Sequence, residues 1–458
     1  MKPLAIIIFL GFLFGCNHLS KHMNMEPQQT DAVSFSPVAW AHNTNVYEVN
    51  LRQYTQEGSF NAFAKELPRL KQMGVQTLWF MPVTPIAQLN KKGSLGSPYA
   101  ARDYTAINPE FGTLADFKSL VKQAHELGFK VIIDWVANHT GWDHKWTKEH
   151  PEYYKKDSTG NFNKASGMDD IIELDYGNPE LRKAMIDAME YWVKECDIDG
   201  YRCDLAFWVR LDFWQEARAA LEKTKKLFWL GEFDALEHPD YMQVFDVSYS
   251  WTWMHKTEEY YKGKIGLDSL RHILERYDTA GGHNKMKLWF TANHDENSWN
   301  GTEYEKYGDM AKALAVFSFT WDGVPLIYSG QELPNMKRLQ FFQKDVIAWN
   351  GKYQLADFYN SLLELRENNA ALKGGDSNVK TFLLHTDHPG KILAYLRKNG
   401  DKEVLVLLNL SKDAVHFTTQ ENMLKNNYKK VFGDEVVSNL TGKTSFDLQP
   451  WAYDVYEK

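Results

Sequence analysis

Cysteine is scarce in this chain: three occur among 458 residues, at positions 16, 196 and 203. Position 16 ends the N-terminal apolar run, so only Cys196 and Cys203 are left to pair. Cys203 falls inside a short apolar stretch with a strand pattern, and Cys196 ends the helical stretch before it. Two buried thiols are therefore expected rather than a disulfide. Positive charge is not in excess either: 52 Lys and Arg stand against 60 Asp and Glu, a net −8. That excludes nucleic acid as the main partner, because a phosphate-binding face needs a basic surplus. The apolar run from Leu4 to Phe14 falls far short of the ~20 residues of a membrane-crossing helix. No low-complexity region interrupts the body of the chain.

What is present is a globular composition, 44% hydrophobic and 24% charged, with 16 Trp, 23 Tyr and 26 Phe. The length suits a large barrel with a smaller companion. Met1-Lys2 followed by the apolar run reads as a signal peptide over 1–15. Leu13-Phe14-Gly15-Cys16 resembles a bacterial lipobox, although Phe14 is bulkier than usual there. The expectation is an exported protein, anchored to a bacterial membrane by acyl chains on Cys16. Residues 16–41 are polar and aperiodic, as a tether would be.

One unit recurs downstream: an amphipathic helical stretch, a stop near glycine, then a short apolar strand. It covers 60–83, 114–136 and 179–203. Gly74 and Gly128 suit the left-handed position that closes a helix, and Thr113 with Asp116 looks like a helix start. Further short apolar stretches at 46–51, 228–231, 244–247, 288–292 and 325–328 bring the strands to eight. Alternating strands and helices imply a parallel sheet, and eight close a (β/α)8 barrel, placed over 42–365. The stretch of about 140–178 is too long and polar for a simple connection and reads as an inserted subdomain after strand three. Past residue 366 the strands at 392–397, 403–408 and 443–448 follow one another without helices, a C-terminal antiparallel β-sandwich domain.

Active groups of such a barrel gather at the C-terminal ends of its strands. Strand three ends Val131-Ile132-Ile133-Asp134 and continues to Asn138-His139. Strand four reads Gly200-Tyr201-Arg202-Cys203-Asp204, strand five ends Leu230-Gly231-Glu232, and strand seven leads into Asn293-His294-Asp295. One acid at a strand end is usually a cap or a surface charge. Three acids converging on one mouth are different: crowding keeps at least one protonated near neutral pH. An ionised carboxylate facing a protonated carboxyl is the pair that glycoside hydrolysis needs. Strand one offers Val46-Tyr47-Glu48-Val49-Asn50 and no paired histidines, which excludes a metal-dependent barrel hydrolase.

These four motifs, in this order, resemble those of the α-amylase family of glycoside hydrolases, and the likeness extends over nearly the whole chain after the tether. Tyr99 with Asp103, and Tyr328-Ser329-Gly330-Gln331-Glu332, add to it. The resemblance implies Asp204 as nucleophile, Glu232 as general acid and base, and Asp295 as the acid holding ring hydroxyls. It implies His139 and His294 as hydrogen-bond donors to the sugar beside the scissile bond, Tyr99 stacked under that sugar, and Arg202 keeping Asp204 ionised. Asp134 would support Arg202 and the barrel or act directly. The implied reaction is retaining cleavage of α-1,4-glucosidic bonds in starch-like glucans or maltooligosaccharides. Alternatives are a neopullulanase-like or cyclomaltodextrinase-like hydrolase, a transglycosylase, and a non-catalytic glucan-binding relative. The chemistry requires no cofactor. Many family members follow the nucleophile with a Lys-His pair, where this chain has Phe207-Trp208. Asn138 resembles a calcium ligand and Glu173 lies near a second, so a structural calcium is possible. Trp142, Trp146, Trp208 and Trp251 are either sugar platforms or core, and Asp170 and Glu237 are expected as solvated surface acids.

Overall fold

The computed structural model describes residues 34–350 and 353–458, apart from 420, 422, 425, 434, 435, 441 and 442. The expected signal peptide and Cys16 lie outside the described residues. Eight parallel strands close into a barrel in chain order: β1 (Val46–Val49), β2 (Thr77–Phe80), β3 (Lys130–Trp135), β4 (Gly200–Cys203), β5 (Phe228–Asp234), β6 (Val247–Tyr249), β7 (Met286–Trp289) and β8 (Val324–Tyr328), with β8 returning to β1.

The alternation of a strand explains what each one does. Tyr47, Val131, Tyr201 and Trp229 point outward into the layer of helices, while Val46, Ile132, Trp79 and Leu230 fill the barrel interior. Along β1, β3 and β5 the inward residues climb from apolar to charged: Val46 to Glu48, Ile132 to Asp134, Leu230 to Glu232. The lower layers make a dry plug worth about 1.5–3 kcal/mol per large side chain, and the upper layer presents charge. On β4 the inward series begins with Gly200, where an added Cβ would lie 2.2 Å from the Phe228 carbonyl oxygen. Only glycine lets β4 and β5 approach this closely. The helix Leu114–Glu126 shows how the outer layer is built. Thr113 and Asp116 form a capping box, and Phe117, Leu120, Val121 and Ala124 bury one stripe.

Several boundaries differ from the sequence reading. Strand six was expected at 244–247 and lies at Val247–Tyr249. Val244 and Phe245 instead follow a 3-10 turn, Pro239–Gln243, and Phe245 packs on Trp214 and Trp229. A short apolar run does not distinguish a strand from a buried turn. Strand seven starts at Met286, two residues early, because the Lys287 ammonium is accommodated by the carbonyls of Tyr277, Ala280 and Lys285. The expected tether reached residue 41, yet Val38 and Ala41 pack into the base of the barrel, and the Arg218 guanidinium donates to the Ser36 carbonyl at 2.9 Å. Cys196 and Cys203 are both free and buried, as expected.

Between β3 and β4 the insertion carries an antiparallel pair, His139–Gly141 with Ile171–Glu173. After the last barrel helix, Ala356–Asn368, the chain forms an antiparallel sheet. Its spatial order is Lys380–Leu383, Ile392–Asn399, Lys402–Asn409, Tyr453–Glu457, Asn426–Lys430, Val436–Leu440, and Val415–Thr419 pairs with Thr444–Leu448 in a second, two-stranded sheet. Tyr395 from this domain packs on Phe317 and Trp321 of the barrel.

Candidate active site

Arg202 is fully buried at the top of the barrel, and the site is organised around its guanidinium. Nη1 donates to Asp204 Oδ1 at 2.8 Å and to Asp134 Oδ1 at 2.9 Å, and Nε donates to the Tyr249 hydroxyl at 3.1 Å. Nη2 lies 2.9 Å from Glu232 Oε2, close but poorly aligned for a hydrogen bond. Glu232 Oε2 is instead held by the Leu205 backbone N–H at 2.8 Å. Leu205 pays for this with a left-handed conformation, φ 39°, at a residue type that rarely adopts one. Arg202 is fixed because two strand neighbours, β3 and β5, carry acids at its level.

The environment splits the acids. Burial pushes Glu232 up to about 7, with Arg202 pulling it back and Asp204 and Asp295 adding to the rise. Burial likewise raises Asp204 to about 6 and Asp134 to about 6, with Arg202 opposing in both. Asp204 is thus mostly ionised at neutral pH, where Glu232 still holds much of its proton.

A second chain of contacts runs from β1 across the mouth. Glu48 Oε1 lies 2.5 Å from His294 Nδ1, and His294 Nε2 lies 2.7 Å from the Tyr99 hydroxyl, which donates to Asp134 Oδ2 at 2.9 Å. The His294 ring stacks on Tyr99 with centroids 5.3 Å apart. Burial works against the imidazolium, but Asp295 and Glu48 outweigh it and hold His294 up at about 9. His139 is driven the other way, down to about 4, by burial. The two histidines expected to act alike therefore differ in charge: His294 is a cation and His139 is neutral.

Asp204, Glu232, Asp295, Tyr99 and His139 line one cleft of about 510 Å³, with His294 and Arg202 directly behind them. Asp134 sits one layer deeper, bonded to Arg202, Tyr99 and Trp79. Its place is that of a support for Arg202. Asp170 corrects the sequence reading: it is 4% exposed, pairs with Lys92 at 2.8 Å and lines the cleft. Glu237 is exposed, as expected. None of the four tryptophans singled out lines the cleft: Trp146 is core, Trp208 and Trp251 are half-buried, and Trp142 borders a separate open hollow of about 740 Å³ on the insertion. The aromatic wall consists of Trp299, Phe341 and Phe342 instead. Trp299 was within reach of the sequence, four residues past Asp295; the two phenylalanines, in the loop after β8, carried no signal.

Of the two positions that resemble calcium ligands, Glu173 does not fit an ion. Asn138 Nδ2 faces the His139 ring at 3.3 Å, and both Glu173 oxygens are taken, by Lys155 at 2.6 Å and Asn163 at 3.0 Å. A calcium ion needs six to eight oxygens, and a lysine ammonium already neutralises Glu173. Among the described residues no group of three or more His, Cys, Asp or Glu could hold a metal ion.

Comparison with known proteins gives a consistent picture. Residues 42–164 and 155–370 match the family described as Alpha amylase, catalytic domain, and residues 382–455 match Maltogenic Amylase, C-terminal domain. The crystal structure of a noncanonic maltogenic alpha-amylase, AmyB from Thermotoga neapolitana, superposes with a TM-score of 0.83 at 32% identity, covering 91% of this chain and 98% of that one. Alpha-amylase MalA of Haloarcula japonica is 26% identical over 82% of this chain, which spans only 56% of that relative's length. Neopullulanase 2 of Thermoactinomyces vulgaris is 27% identical over 86% of this chain and 70% of its own.

Proposed function

Since the chain belongs to the α-amylase family of glycoside hydrolases, we propose that it cleaves α-1,4-glucosidic bonds in starch-like glucans or maltooligosaccharides with retention of configuration. The observation that carries this reading is one buried guanidinium with two acids on its fork inside one cleft, Asp204 2.8 Å from Nη1 and Glu232 2.9 Å from Nη2. Asp204 attacks the anomeric carbon as the carbon–oxygen bond to the leaving sugar breaks, and Glu232 gives its proton to that oxygen. Glu232, now a carboxylate, takes a proton from water, whose oxygen attacks the same carbon and displaces Asp204. Two acids on neighbouring ends of one fork suit a covalent intermediate, whereas an inverting pair stands wide enough to admit water between them.

Asp295 and the neutral His139 face the cleft and bind ring hydroxyls, and the Tyr99 ring forms the floor under that sugar; the cationic His294, expected as a second donor, instead spends its two ring nitrogens on Glu48 and the Tyr99 hydroxyl and holds that floor from behind. No step draws on a metal or cofactor. A second reading, attack on cyclic or branched maltodextrins or on pullulan, draws support from the maltogenic C-terminal match and the neopullulanase relative. It uses the same residues, as would transglycosylation. For localisation we propose the lipid anchor on Cys16: Cys16→Ser is expected to release the protein from the membrane fraction of an expressing bacterium, and unchanged fractionation would refute the anchor.

The direct test is product analysis on starch, pullulan and a cyclic maltodextrin with wild type, Asp204→Asn and Glu232→Gln. Wild type is expected to release α-anomeric products, and each variant to lose at least ~10³-fold in kcat while keeping its circular dichroism. Wild-type-like rates in either variant would overturn the assignment.

A further inference from the structure

Part of the cleft is lined by residues that take no part in the reaction above. Because Glu232 protonates the leaving oxygen, the departing sugar lies on the Glu232 side. The portion retained on Asp204 extends the other way, over Tyr99 and Asp295. Beyond those two residues stands a wall. Phe341 stacks on Tyr99 with centroids 6.1 Å apart, and Trp299 packs on Phe341 at 5.2 Å and on Phe342 at 5.6 Å. Facing them, Lys92 Nζ pairs with Asp170 Oδ1 at 2.8 Å, joining the loop after β2 to the inserted subdomain.

The loop after β2 is also fastened to the loop after β8. The Leu95 N–H donates to the Phe342 carbonyl at 3.0 Å. Gly93, at φ +62°, approaches so closely that an added Cβ would lie 2.6 Å from Phe342 Cβ. Loops after β2, β7 and β8 and the insertion thus meet here, bound by an ion pair, a backbone hydrogen bond and stacked rings. The Asp170 side chain is 6% exposed and the Lys92 side chain 40%, so the acid is built into the cavity wall while the ammonium reaches it from the solvent side.

We propose that this wall limits the retained portion of the substrate to about two glucosyl units, so that the enzyme removes short α-configured products from chain ends. A glucosyl unit of about eleven heavy atoms fills on the order of 150 Å³ at solid-like packing. The cleft of about 510 Å³ then holds about three such units, and since Glu232 lines the same cleft, at least one of them lies on the leaving side. The inference rests on the α-glucan reading and names the residues that would set its product length.

The test uses substrates whose only sugar portion is the retained one: α-maltosyl, α-maltotriosyl and α-maltotetraosyl fluoride, with fluoride as leaving group. For wild type, kcat/KM is expected to fall about tenfold or more from the maltosyl to the maltotriosyl compound, the scale on which a pocket rejects a group that it has no room for. Lys92→Ala removes the bridge, and Gly93→Ala forces the two loops apart. In either variant the two longer fluorides are expected to approach the maltosyl rate, and the products from starch to lengthen. Equal rates on all three fluorides in wild type, or unchanged discrimination in both variants, would overturn the wall and leave the α-glucan reading standing. Failure of wild type to turn over any fluoride or starch would overturn that reading and the inference with it.

Discussion

At Arg202 three carboxylates share one buried cation, and the balance among them sets the pH range in which the site works. The reaction needs Asp204 ionised, which holds above about 6, and Glu232 protonated, which holds below about 7. The profile of kcat/KM is therefore expected to be a narrow bell centred between those values. Asp134→Asn tests the division of labour. The Asp134 charge raises Asp204 through space and competes for Nη1. Its removal is expected to move the acidic limb to lower pH, while the alkaline limb, set by Glu232, stays in place. A profile that loses height without changing shape would make Asp134 a purely structural residue.

At the scale of elements, caps and close approaches separate stability from function. Thr113 and Asp116 cap a helix on the outer layer, remote from the acids. Thr113→Ala is expected to cost about 1 kcal/mol in denaturant unfolding and to leave activity per folded molecule unchanged. Gly200→Ala strikes the core of the site instead, because its Cβ would press on the Phe228 carbonyl and part β4 from β5. Those strands carry Asp204 and Glu232, so stability and kcat are expected to fall together, by several kcal/mol and by about 10²-fold or more. Thermal melts with kcat measured on the soluble fraction check both substitutions.

At the scale of the molecule, the barrel and the C-terminal domain share one buried cluster. Leu393, Tyr395, Val404 and Val455 belong to the same buried cluster as Phe317 and Trp321. Arg397 reaches across to Asp322 at 3.0 Å, and the Tyr395 hydroxyl meets Thr320 at 2.6 Å. Calorimetry is expected to give one unfolding transition, and two separated transitions would contradict the shared core. EDTA is expected to leave both the midpoint and the activity unchanged, since Lys155 rather than an ion neutralises Glu173. A chelator-dependent drop in the midpoint, restored by calcium, would contradict this.

The sequence by itself determined the barrel, because its evidence is local and periodic: helix stripes, left-handed glycines and apolar strands that end in acids. It placed Asp204, Glu232, Asp295, Arg202 and both histidines on one rim, since the ends of neighbouring parallel strands gather round a common axis, whereas Tyr99, in a loop well past β2, came only from the family resemblance. It misplaced β6, because a short apolar run such as Val244-Phe245, buried beside a turn, has the same composition as one in a strand. Only the tertiary structure decided the rest. Asp170 looked like a surface acid until the fold set it against Lys92, 78 residues earlier in the chain. Phe341 and Phe342 become a wall only through loops that the closed barrel brings together. The opposite charges of His139 and His294 arise from their surroundings: burial drives His139 down, while Asp295 and then Glu48, on the first strand, outweigh burial at His294. Periodicity encodes which way a side chain points, whereas proton affinity and cavity shape depend on what stands opposite it, and folding alone supplies that.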